Sequence, residues 1–163
     1  MQKWLVFLIM LITCNCFSQD KIADVLAKYN DNSVKYVYPL DLINKDNIVY
    51  LDAREKTEFA VSHIKNSIYV GFEKFNLKNL HTQKINKNQK IVVYCSLGVR
   101  SEKIAKKIIA SGYNNVSNLY GGIFLWKNSG GIVVDKKNNP TENVHAFSKS
   151  WGQYLTSGIK IYN

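Results

Sequence analysis

Hydrophobic positions along this chain follow two rhythms. Short unbroken apolar runs, Ile48-Val49-Tyr50-Leu51 and Ile91-Val92-Val93-Tyr94, are rich in β-prone residues and read as strands buried on both faces of a parallel sheet. After the second run, Ile104, Ala105, Ile108 and Ile109 recur at helical spacing with Lys103, Lys106 and Lys107 between them. That pattern predicts a helix from Val99 to about Ala110 with one buried and one wet face. Similar reading predicts strands at 35–38, 48–52, 68–70 and 116–119, a helical turn over 39–44 opened by Pro39, a helix over 56–62, a helix or turn over 73–80, and a helix carrying Trp126. Five strands joined by right-handed crossovers make a three-layer α/β domain, its mostly parallel sheet flanked by helices. In the tail, Val144, Phe147, Trp151, Tyr154 and Leu155 fit the spacing of a helix packing on that domain.

Candidate chemistry sits where the second apolar run stops. Cys95 ends the strand, and Ser96, Leu97, Gly98 and Val99 make a loop that closes on Arg100 just as the helix begins. Ligands of parallel sheets bind beyond the carboxyl ends of the strands, so Cys95 lies at a binding position. Unpaired N–H groups and the dipole of the following helix stabilise an anion, and Arg100 adds positive charge, so the thiol pKa is expected below its free value of about 8.5. Gly98 lets the backbone turn with no Cβ in the way, so that successive amides converge on whatever the sulfur carries.

Composition bounds the answer. At 163 residues and 46% hydrophobic content the chain has the length and apolar content of one ordered domain with its own core. A formal net charge of +10 is spread over lysines in 84–90 and 135–139, which read as solvated loops and not as a nucleic-acid motif. Its general positive field would draw small anions toward Cys95. The first residues form a separate pattern: Lys3, an apolar run from Trp4 to Ile12, then Cys16-Phe17-Ser18. A run of about nine is too short to span a bilayer, which takes about 20, so residues 1–18 read as a cleaved signal peptide with a mature start at Gln19 and export to the periplasm or outside the cell. Leu11-Ile12-Thr13-Cys14 is the competing pattern, a lipoprotein site with threonine where a smaller residue is usual, and membrane attachment is expected only through Cys14. With cleavage after Ser18, Cys95 is the one cysteine left, so an internal disulfide is excluded.

Around Cys95 stand further motifs: Asp52-Ala53-Arg54 after the first apolar run, Glu58-Phe59, Ser62-His63-Ile64, and Leu119-Tyr120-Gly121-Gly122 with Trp126. In this order and spacing the stretch 34–128 resembles the rhodanese family, the single-domain sulfurtransferases. Ser62 and Asn66 stand where glycines are common there, Ser67 replaces an alanine, and Ser96 occupies a position that many members give to a basic residue. The resemblance implies a rhodanese-like domain over 34–128, preceded by a lead-in over 19–33 and followed by a C-terminal extension over 129–163 that packs on it. It implies a ping-pong sulfurtransferase, in which a Cys95 persulfide carries sulfane sulfur from a small anionic donor such as thiosulfate to a thiol or cyanide, with no cofactor. A sulfur carrier or binding module on the same fold is the alternative. Related dual-specificity phosphatases carry Cys-x5-Arg where this chain has Cys-x4-Arg, and only a cradle of matching size stabilises a transition state.

Supporting roles fall to Asp52 and Arg54, as an ion-pair scaffold for the Cys95 loop, to Ser101 beside it, and to His63 as a structural hydrogen-bonding residue. No metal site is expected, since His63, His81 and His145 lack ligand spacing. The expected partners are small molecules, with no nucleic acid, and the expected state is a monomer.

Overall fold

The computed structural model describes residues 21–162, so the leader pattern at 1–18 and Cys14 lie outside the described residues. A helix over 21–29 (α1) is followed by β1 (Tyr36–Val37), a 3-10 turn at Pro39–Asp41, β2 (Ile48–Asp52), α2 (Lys56–Val61), β3 (His63–Ile64) and β4 (Ile68–Tyr69). Then come α3 (Lys78–Thr82), β5 (Lys90–Tyr94), α4 (Val99–Ala110), β6 (Val116–Leu119) and α5 (Gly122–Asn128). The remainder forms β7 (Val133–Val134), β8 (Pro140–Thr141), β9 (Asn143–His145), α6 (Lys149–Gly152) and β10 (Ile159–Ile161).

The main sheet has five strands in the order β1-β6-β5-β2-β4, and every ladder in it is parallel. Successive strand residues point to opposite faces, so each central strand feeds two cores. Val92 and Tyr94 of β5 join Ile22, Leu26, Ile123, Phe124 and Trp126 on the face covered by α1 and α5. Ile91 and Val93 join Leu51, Leu80, Ile104, Ala105 and Ile108 on the face covered by α3 and α4. Each isoleucine that α4 buries contributes about 1.5 to 3 kcal/mol, enough to hold the helix with its amino end at the β5 terminus. None of the described helices is long and apolar enough to cross a membrane.

Helix α1 formed although no element was expected before residue 35. Its signal was present in Ile22, Val25 and Leu26, the i, i+3, i+4 positions of an apolar stripe, of which Ile22 and Leu26 are buried. The tail departs further from expectation. In place of a helix through 144–155, Val144 lies in β9, which pairs in parallel with β10, and only Lys149–Gly152 is helical. Phe147 adopts a left-handed backbone (φ +64°) and Ser148 caps α6 by accepting from the Trp151 N–H, so the chain turns where a helix would have continued. The apolar side chains still go inward: Val144, Ala146 and Leu155 belong to the core under α5. Strand β7 adds an antiparallel pairing with β3, in a small sheet of order β3-β7-β8.

Candidate active site

Strand β5 delivers Cys95 to the end of the sheet, and the loop after it folds back over the sulfur. Gly98, at φ +113°, caps α4 and donates its N–H to Cys95 Sγ at 3.1 Å. Built at Gly98, a Cβ would press on the Leu26 side chain at 3.2 Å, so both the conformation and the space call for glycine. Ser101 Oγ lies 3.5 Å from Sγ and donates to Asn118 Oδ1 at 2.7 Å. Asn118 in turn donates through Nδ2 to the Gly98 carbonyl at 2.8 Å, and Asn30, just past α1, donates to the same carbonyl at 3.0 Å. On the other side, the first N–H groups of α5 take up the loop carbonyls, Ile123 donating to Cys95 at 2.9 Å and Phe124 to Ser96 at 3.2 Å. Gly122 makes this approach possible, because a Cβ there would sit 2.3 Å from the Cys95 oxygen.

The loop's charge is held from α2. Glu55 and Glu58 form a capping box, in which Glu58 Oε2 accepts the Glu55 N–H at 2.9 Å. The same carboxylate receives Arg100 at both oxygens, Nη1 to Oε2 at 2.7 Å and Nη2 to Oε1 at 2.8 Å, and Ser96 Oγ at 3.1 Å. This is a bidentate, charge-assisted pair with Glu58 only 3% exposed. Burial pushes the Cys95 thiol up, but the charge of Arg100 and hydrogen bonds from Ser101 and Gly98 outweigh it and leave the thiol below its ordinary value. Burial likewise raises Glu58, and its bonds with Arg100 overcome that and keep the carboxyl ionised.

Over Cys95 lies a cavity of about 110 Å³, open on one side. Cys95, Ser96, Leu97, Val99 and Arg100 line it from the loop, and Phe147 and Trp151 line it from the tail. Such a site can hold an anion on sulfur, accept a small electrophile above it, and spread the resulting charge over loop amides.

Asp52 and Arg54 are placed elsewhere. Arg54 pairs with Asp52 at 2.7 Å with both side chains fully buried, and donates to the Ser62 carbonyl at 2.7 Å. That ties the end of β2 to the end of α2, beside the Cys95 loop and not within its cavity. His63 is also occupied, with Nδ1 3.1 Å from the Phe59 carbonyl and its ring stacked on Phe59 at 4.0 Å. In the sequence Glu58 stands out only as part of the Glu58-Phe59 motif, and Asn118 does not stand out. The signal for Asn118 was a polar residue in a short strand, Val116-Ser117-Asn118-Leu119, that the sheet buries completely.

The model of the rhodanese-like domain family matches residues 38–129, more than half of the chain, and the protein belongs to that family. A thiosulfate sulfurtransferase, GlpE, of Coxiella burnetii is 27% identical over 94 residues, which cover 58% of this chain and 85% of that one. A tRNA uridine(34) hydroxylase of Bacillus cereus is 35% identical over 98 residues, 56% of this chain but 31% of that longer protein. Among solved structures, a rhodanese-related protein from Thermoplasma volcanium superposes with a TM-score of 0.53 at 27% identity, covering 61% of this chain and 97% of that one.

Proposed function

We propose that this protein is a sulfurtransferase in which Cys95 carries sulfane sulfur as a persulfide. The observation that carries this reading is a single one: Cys95 Sγ lies under an open cavity, receives the Gly98 N–H, and has its thiol pKa lowered at the amino end of α4. The named activity of the Coxiella relative is in line with it. In the first half-reaction the thiolate attacks the outer sulfur of thiosulfate, the S–S bond breaks, and sulfite leaves with the electron pair. Loop amides hold the new persulfide anion. In the second, cyanide or a thiolate attacks that terminal sulfur and Cys95 leaves as thiolate, so the enzyme returns unchanged and needs no redox partner. Glu58, Ser96 and Arg100 act as positioning residues, fixing the loop and its charge.

Replacing Cys95 with serine tests the reading, because a hydroxyl is not ionised at neutral pH and fits the same space. Transfer from thiosulfate to cyanide should fall to background while the fold is kept; retained transfer would refute the mechanism. The reading extends to place: the charged start, short apolar core and small-residue end of 1–18 support export with a mature chain that begins at Gln19. Amino-terminal sequencing of protein from its native host would show Gln19, and an intact Met1 or a lipidated Cys14 would overturn soluble export.

A further inference from the structure

The floor of the cavity over Cys95 belongs to the family's loop, but its outer wall does not. Phe147 and Trp151 come from beyond the matched segment 38–129 and meet edge to face, with ring centroids 6.0 Å apart. Phe147 lies over the Arg100 guanidinium at 4.9 Å, and Trp151 rests on Tyr29 at 6.3 Å. Phe147 is 49% exposed although its backbone is left-handed, a conformation that an aromatic residue holds only where its surroundings impose it. Those surroundings are specific. The Phe147 N–H donates to His145 Nδ1 at 3.1 Å, and the preceding Ala146 N–H donates to the Ile161 carbonyl at 2.8 Å, so the β9–β10 ladder sets the ring's place.

Charge at the cavity points the same way. Arg100 is the charged side chain of the lining, and it gives both ends of its guanidinium to Glu58. Ser96, next to the cysteine, donates to that carboxylate too and brings no charge of its own. With Cys95 ionised, the thiolate, Arg100 and Glu58 together carry one net negative charge. An inorganic dianion therefore meets a cation already shared between Glu58 and the thiolate, together with loop amides, while Leu97, Val99, Phe147 and Trp151 offer an apolar enclosure. A cavity of about 150 Å³ lined by apolar side chains accepts benzene, and this one is of that order and open on one side.

We propose that the C-terminal segment selects the sulfur donor through Phe147 and Trp151, favouring sulfane sulfur attached to an apolar organic group over inorganic thiosulfate. The inference rests on the sulfur-transfer reading and narrows it. Cys95 thiolate attacks the outer sulfur of an organic persulfide, R–S–SH; the S–S bond breaks, Cys95–S–SH forms, and R–S⁻ leaves with the electron pair along the aromatic wall. Charge and atoms balance without an oxidant.

The test compares benzenethiosulfonate, methanethiosulfonate and thiosulfate at equal concentration, reading the rate at which one sulfur mass is added to Cys95. The first two share the reacting group and the charge, differ in the apolar group, and leave as sulfinates. The expected order places benzenethiosulfonate roughly tenfold or more ahead of methanethiosulfonate, the factor that one modest apolar contact supplies, with thiosulfate slowest. Phe147→Gly should bring the ratio of the two thiosulfonates close to one, and Phe147→Tyr should keep it. Glycine adopts φ +64° freely, so the first variant does not endanger the fold. A ratio near one in the unaltered protein, or one indifferent to Phe147→Gly, would overturn the selection and leave sulfur transfer standing. Failure of all three donors to load Cys95 would overturn both.

Discussion

Strands β2 and β5 are neighbours in the sheet, and each runs out of apolar residues into a loop with an arginine, yet the two ends differ in what their arginine does. At β2 the charge closes on its own strand. Arg54 is bound by Asp52 and by the Ser62 carbonyl, and neither side chain of the pair reaches solvent. At β5 the arginine crosses to α2, pairs with Glu58 while 17% exposed, and leaves a sulfur atom under an open cavity. A buried pair of the first kind fixes geometry, and one of the second kind fixes geometry while lending its field to a neighbour. The carboxyl-terminal end of the sheet thus carries a scaffold and a reactive group built from similar parts.

The comparison is broken most severely at the scaffold. Arg54→Met strands a buried carboxylate and should cost about 3 to 5 kcal/mol in urea unfolding, whereas adding Asp52→Leu should recover most of that loss. A double variant as unstable as the single one would mean that the pair's hydrogen bonds, and not the avoided lone charge, are what matter. Next comes Gly122→Ala. Its Cβ meets the Cys95 carbonyl at 2.3 Å from a backbone at φ +55°, so a loss of about 1 to 3 kcal/mol and slower alkylation of Cys95 are expected together. Stability lost without any change in alkylation would separate α5 from the reactivity of the loop.

Smaller, and more specific, is the effect of Arg100→Ala on the thiol. Removing that charge should raise the Cys95 pKa, seen as an upward shift in the midpoint of alkylation rate against pH. An unmoved midpoint would assign the low value to the amides alone. The smallest effect is on acid stability. Glu58 lies below the ordinary carboxyl value, so its contribution is complete above the unfolded value of about 4.3 and is lost as pH falls through the folded one. Arg100→Ala should flatten that acid limb in a plot of Tm against pH, and an unchanged limb would locate the acid sensitivity elsewhere.

How far the sequence foretold this architecture depended on the range of the interactions concerned. The β5–α4 unit was legible because a four-residue apolar run and a 3.6-residue period are local patterns, and both bounds of α4 agree with the sequence reading. The place of Cys95 and its loop followed from the order of apolar run, loop and helical period, while a role for the cysteine drew also on the motifs around it. Glu58 was not legible as the partner of Arg100, since a contact across 42 residues leaves no trace in local spacing. The tail misled for a related reason. The spacing of Val144, Phe147, Trp151 and Leu155 fits a helix as well as it fits a strand, a left-handed turn and a single helical turn, and the pairing of β9 with β10 decided between them.

Intact-protein and peptide mass spectrometry after incubation with a sulfane-sulfur donor tests the central claim, that Cys95 is a thiolate built to carry sulfur. Treated with thiosulfate or benzenethiosulfonate and then freed of donor, the protein should carry one added sulfur, mapped to the peptide containing Cys95, lost on addition of cyanide and absent from Cys95→Ser. No added sulfur on that peptide, or an equal gain in the serine variant, would contradict the account.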